Sequence, residues 1–114
     1  MLAVIFEVTP LPGRAQHYFD IVAELRLELD KIEGFISVGR FQSLTRANVF
    51  LSLTYGENDA AVSAWRNQAY HRAGKQSGRA AVFSGCRSRV VSVIRDHNFQ
   101  ARADAPVDSN TLLL

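Results

Sequence analysis

The sequence predicts an α+β domain, a four-stranded antiparallel sheet with two helices on one face. Three observations carry that expectation. Four short stretches rich in Val, Ile, Leu and Phe alternate or run apolar as strands do. Two longer stretches have apolar residues at helical spacing or a helical start after a Gly break. Their order is strand, helix, strand, strand, helix, strand, which is the split βαβ arrangement known as ferredoxin-like. Right-handed crossovers then leave little topological freedom.

The first strand is LAVIFEVT, residues 2–9, where Leu2, Val4, Phe6 and Val8 alternate with Ala3, Ile5, Glu7 and Thr9. PLPG breaks it. From Arg14 to Ile32 the apolar residues Ala15, Tyr18, Phe19, Val22, Leu25, Leu29 and Ile32 make one stripe on a helix of about five turns. Gly34 follows as a C-terminal stop. FISVGRFQSL (35–44) and VFLSLTY (49–55) form a hairpin around the polar TRAN, wider than the tightest class. Gly56 and END start the second helix, which runs through AAVSAWRN. A polar, Gly-containing stretch with a further helical turn or two comes next, then a fourth strand, CRSRVVSVIR (86–95). Residues 1–97 therefore make the domain. Residues 98–114 have no period and read as a tail, its NTLLL end either disordered or packed in passing.

The strands are apolar on both sides. Val4 and Phe6 oppose Ile5, Phe35 and Phe41 oppose Ile36 and Val38, and Leu51 and Leu53 oppose Phe50. Helices cover one face of such a sheet, and the other wants a cover too. A homodimer packed sheet to sheet is the expected solution.

Bulk properties exclude several classes. The chain has 114 residues, 47% hydrophobic and 21% charged, enough for one domain with its own core. A net charge of +2, with basic residues scattered among acidic ones, argues against nucleic acid. The single cysteine, Cys86, forms no internal disulfide, and the apolar N-terminus lacks a signal peptide's basic start. No apolar run approaches the ~20 residues of a membrane span. A cytoplasmic protein without membrane contact is expected. His17, His71 and His97 lie far apart and suggest no metal site. GKQSGR (74–79) lacks the earlier Gly and the Ser or Thr of a phosphate loop, and it is no nucleophile elbow. Arg87 and Arg89 form either an anion-binding pair or a solvated strand end.

One stretch concentrates residues able to do chemistry. WRNQAYHR (65–72) holds the chain's one Trp six residues before His71. On a continuous helix these two differ by roughly 240° at ~100° per residue, so they share a pocket only if the helix breaks near Asn67–Tyr70. Trp65 reads as a pocket wall or as core filler, His71 as a proton acceptor or a surface residue, and Asn67 as a cap or a ligand. Tyr55 and Phe83 line the same pocket or pack in the core.

The chain resembles the antibiotic biosynthesis monooxygenase family, small proteins that form dimeric α/β barrels. The likeness covers about residues 2–97. It rests on PGRAQHYFDIVAELRLEL, on IEGFISVGRFQS, and most sharply on AWRNQAYHRAGKQSGRAAVFSGCRSRVVSVIRDH. It implies a pocket between helices and sheet in each subunit, with Trp65 at its wall. It also implies oxidation of a small aromatic phenol or quinol by O₂ without metal, flavin or haem. In that picture His71 and Trp65 are catalytic, and Trp65, Asn67, Tyr55 and Phe83 bind substrate. Haem-degrading relatives on this scaffold pair the helix Trp with a first-strand Asn and a more distant His. Strand one here has no Asn, so haem degradation is not expected. One scaffold hosts unrelated chemistries, so two alternatives stay open. They are a non-catalytic dimeric module that binds a small hydrophobic metabolite, and an isomerase or lyase.

Overall fold

The computed structural model describes residues 1–77 and 83–108, with the side chains of 69–77 excepted. Strands β1 (Leu2–Pro10), β2 (Phe35–Gln42), β3 (Phe50–Gly56) and β4 (Phe83–Ser92) alternate with helices α1 (Ala15–Leu29) and α2 (Asp59–Ser77) in the expected order. The sheet order is β2-β3-β1-β4, with every neighbouring pair antiparallel. This is the ferredoxin-like arrangement.

The turn before α1 uses Gly13 at φ 77, and the Arg14 N–H donates to the Leu11 carbonyl at 2.9 Å. Of the stripe, Tyr18, Leu25 and Leu29 are buried; Ile21, which it left out, is buried with them, because steps of three and four from Tyr18 pass through it. Val8 of β1 joins Tyr18, Ile21 and Leu25 in the core, with Phe6, Phe19, Val22, Phe50 and Phe83 packed around them. The rings meet edge to face, Phe19 on Phe50 at 5.0 Å and Tyr18 on Phe83 at 5.6 Å, the geometry that ring quadrupoles favour.

Helix α1 ends at Leu29, one turn earlier than the stripe suggests. Tight turns carry the chain from Glu28 to Phe35, and Gly34, at φ 87, reverses it into β2. The Gly34 carbonyl then accepts the Glu57 N–H at 2.8 Å, tying this bend to the start of α2. Asn58 caps that helix, its Oδ1 accepting the Ala61 N–H at 3.0 Å, and Asp59 lies in the first turn where the helix dipole favours a carboxylate.

Two expectations change. Phe35 and Phe41 do not share a face, because the β2–β3 register shifts between Phe35 and Ser37. Phe35 therefore faces the helices, where the Arg26 guanidinium lies 5.5 Å from its ring centre, and Phe41 faces the opposite side, 55% exposed. Strand β4 occupies 83–92 rather than 86–95, pairing Phe83 with Pro10 across a second irregularity. Beyond β4 the chain folds on itself: Asn98 Oδ1 accepts the Gln100 and Ala101 N–H groups, and Asp104 accepts that of Asp96 at 2.7 Å. The NTLLL end lies outside the described residues.

Candidate functional site

The strand pleat sorts the sheet into two surfaces. On the helix side, β1 presents Val4, Phe6 and Val8, paired in turn with Thr54, Ser52 and Phe50 of β3. Val38 and Arg40 of β2 pair with Thr54 and Ser52 on the same side. Helix α2 lies over the end of this surface where β3 leaves the sheet.

Between them is a small cavity of about 10 Å³, room for roughly one water. Val4, Phe35, Thr54, Tyr55, Gly56, Ala61, Val62 and Trp65 line it. Two glycines make the close approach of helix and sheet possible. A Cβ on Gly56 would sit 3.4 Å from the Ala61 Cβ, and one on Gly34 only 3.0 Å from it. The lining is apolar but for Thr54, whose hydroxyl has no hydrogen-bond partner among the described residues although the residue is 4% exposed. A buried hydroxyl left unpaired is destabilising, so it needs an explanation beyond packing.

Trp65 lines this cavity and is half-buried. Tyr55 borders the cavity, yet it alternates with Thr54 and pairs with Ala3, so its Cβ leaves from the opposite face. Phe83 packs instead against Phe6 and Tyr18 beneath α1. Asn67 is exposed and lies inside α2, which runs unbroken through Asn67–Tyr70 to Ser77. The break that would bring Trp65 and His71 together is absent, and Asn67 caps nothing there. The side chain of His71 lies outside the described residues. Among the described residues no group of three or more His, Cys, Asp and Glu could hold a metal ion. No described helix is long and apolar enough to cross a membrane.

The residues that sequence reasoning missed lie next to the cavity. Arg40 and Ser52 are direct cross-strand partners, and Arg40 Nε and Ser52 Oγ are buried without a hydrogen-bond partner, like Thr54 Oγ1. Tyr18, on the core side of α1 and 4% exposed, lies near enough to Arg40 to feel its charge. Burial pushes the Tyr18 pKa above the usual tyrosine value, and Arg40 offsets part of the rise through its charge and hydrogen bond. The signal was available. In β3, Ser and Thr occupy the alternate positions that begin with core-facing Phe50, where an apolar residue is the default.

A pH dependence follows from Tyr18. Its native pKa is raised, so the folded state holds the phenolic proton after the unfolded state has begun to lose it. This contribution to stability is complete below a pH of about 10 and is lost as pH rises from there through the native pKa. Alkaline denaturation of wild type beside Tyr18→Phe checks this. The variant should lose less stability between neutral pH and the alkaline end of the titration.

Comparison with known proteins gives these residues a family. The model of the antibiotic biosynthesis monooxygenase family matches residues 1–77, from β1 to the end of α2. The chain belongs to that family. It is similar to a jasmonate monooxygenase of Pyricularia oryzae, 38% identical over 93 residues, which are 82% of this chain and 43% of that protein. The chain thus spans less than half the length of that relative. Among solved structures it resembles a protein of Mycobacterium tuberculosis, with a TM-score of 0.71 at 13% identity over 85% of this chain and 98% of that one. A protein of Pseudomonas aeruginosa gives a TM-score of 0.69 at 18% identity, covering 81% and 92%. At those identities the two structures speak for the fold of this family member and not for its chemistry.

Proposed function

We propose that this member of the family is a monooxygenase, with its reaction site at the cavity beneath α2. One observation carries the placement: the Thr54 hydroxyl, unpaired in an apolar cavity, faces the same space as Trp65. A substrate oxygen would satisfy that hydroxyl, and a flat ring would lie along the indole. Family membership and the monooxygenase of Pyricularia oryzae support the reaction class.

For substrate we propose a small aromatic phenol or quinol, of the kind whose anion reduces O₂ directly. In an anthrone-like phenol the reacting carbon is a ring CH₂. Removing a proton gives an electron-rich anion, which passes one electron to O₂. The resulting carbon radical and superoxide combine as a peroxide, and loss of water leaves a carbonyl. The balance is R₂CH₂ + O₂ → R₂C=O + H₂O, with all four electrons supplied by the substrate. The protein's part is to exclude water, orient the ring and accept the proton. Among the cavity residues none is a base near neutral pH, so the proton goes to His71 or to solvent, and His71→Ala separates these.

A second reading, a module that binds a small hydrophobic metabolite without transforming it, is supported by the apolar lining, in which no residue is a base. Space for roughly one water admits an aromatic ring only if α2 moves away from Phe35. Oxygen uptake by metal-stripped protein with hydroquinones and anthrone-like phenols distinguishes the two. The monooxygenase reading predicts one O₂ consumed per carbonyl formed from the anthrone-like phenol, lost in Trp65→Phe. Binding of the same compounds without uptake supports the module.

We also propose that a second copy covers the other face of the sheet. That face carries Ile5, Leu51 and Leu53, with Phe41 and Val91 at 55% and 38% exposure. Wild type should sediment as a dimer and Phe41→Glu as a monomer. A monomeric wild type would overturn the pairing.

A further inference from the structure

We propose that Tyr18, Arg40, Ser52 and Thr54 form an oxyanion subsite, which holds a carboxylate or phenolate oxygen of the ligand whose apolar part rests against Trp65. The inference rests on the cavity beneath α2 being the ligand site, and it adds the charge that the ligand carries.

The four residues form one row on the helix side of the sheet. Arg40 of β2 stands beside Ser52 of β3, and Thr54, two residues further along β3, is about 7 Å on and borders the cavity. Tyr18, buried on α1, lies near Arg40 at the other end of the row. Ser52 and Thr54 are 3% and 4% exposed, and their hydroxyls, with Arg40 Nε, lack hydrogen-bond partners. One unpaired polar atom in a core is unexceptional. Three in adjacent places on two paired strands, ending at a cavity, point to a common partner.

The chemistry of that partner follows from the donors. A guanidinium offers N–H groups and accepts nothing. A phenol keeps its hydrogen to donate at ordinary pH, and burial raises the pKa of Tyr18 further. Serine and threonine hydroxyls turn to donate as needed. The row is therefore rich in donors and carries one positive charge. Among the described residues no carboxylate is seen paired with Arg40, while Asp30, Glu28 and Glu7 pair with Arg26, Lys31 and Arg89. A neutral carbonyl would satisfy a hydroxyl and leave the charge unmatched, whereas an oxyanion satisfies both. Ser52 and Thr54, both buried, place such a contact where it is less screened than in water. Enolate or phenolate character in the bound substrate would be favoured by the same charge, which ties the subsite to oxidation by O₂.

Calorimetric titration of the full chain tests this with three probes: phenylacetate, phenylacetamide and 4-ethylphenol. The subsite predicts that phenylacetate binds at least ten-fold more tightly than its amide, or that 4-ethylphenol releases a proton on binding at neutral pH. The first outcome marks a carboxylate as the source of the oxyanion and the second a phenolate. Arg40→Met and Ser52→Ala should remove the preference, or the proton release, while amide affinity changes less than two-fold, and Arg40→Lys should restore part of it. A purely structural role for Arg40 would weaken acid and amide alike. If Arg40→Met fails to fold, Ser52→Ala carries the test. Equal affinity for acid and amide without proton release overturns the subsite, as does an acid preference untouched by both variants. Oxygen uptake is a separate readout. Charge-selective binding without uptake would defeat the monooxygenase reading and leave the subsite standing, and uptake without charge selectivity would do the reverse.

Discussion

Leu29→Ala should lower the free energy of unfolding by about 3 kcal/mol, the expected effect of emptying a well-packed leucine site. Leu29 is 1% exposed and is among the largest fully buried side chains of the described residues. It closes the last turn of α1, and the structure around it has little freedom to collapse, because Gly34 and the start of α2 are hydrogen-bonded to each other just beyond. Urea denaturation should show a lower midpoint with an unchanged slope. Leu27, on the same helix and 73% exposed, provides the control: Leu27→Ala should shift stability by less than about 0.5 kcal/mol. Equal effects at the two positions would mean that the assigned core face of α1 is wrong.

Gly34→Ala should be nearly as damaging, at about 2–3 kcal/mol, for two separate reasons. The residue has φ 87, where an L side chain meets its own carbonyl, and the new methyl would lie 3.0 Å from the Ala61 Cβ. The Ala61 Cβ is not the mobile end of a long side chain, so helix or strand must move. Ala61 lines the cavity with Trp65, so the substitution should also weaken ligand binding. Double substitution with Ala61→Gly separates the causes. It should recover the part due to the clash and leave the part due to φ. Full recovery would show that backbone conformation contributes nothing there.

The fold was legible because its signals are local and agree with one another. The stripe from Tyr18 to Leu29, the alternation of β1 and the break at PLPG each follow from the period of one element. The boundaries that moved are those set by partners. Phe35 changed faces because of an irregularity in its pairing with β3, and β4 begins at Phe83 because it follows Pro10 of β1. Helix α2 continues past Asn67 through a polar stretch with no apolar stripe to announce it. Of the site, Trp65 was readable as a large aromatic on the buried side of α2. Tyr18 and Arg40 were not, since their meeting depends on where α1 crosses the sheet. Ser52 and Thr54 were readable in principle. Each is polar at a core position of a strand, but the leucines between them drew attention to the other face.

Thr54→Val tests the central claim most directly, by oxygen uptake with an anthrone-like phenol and a thermal melt run on the same samples. Valine keeps the shape of threonine and removes a buried hydroxyl that has no partner among the described residues. If that hydroxyl serves a ligand, the variant should be as stable as wild type or more so, yet lose at least about ten-fold in kcat/KM, the scale of one lost substrate hydrogen bond. Unchanged turnover by a protein of unchanged stability would contradict the account and place the reaction away from the cavity beneath α2.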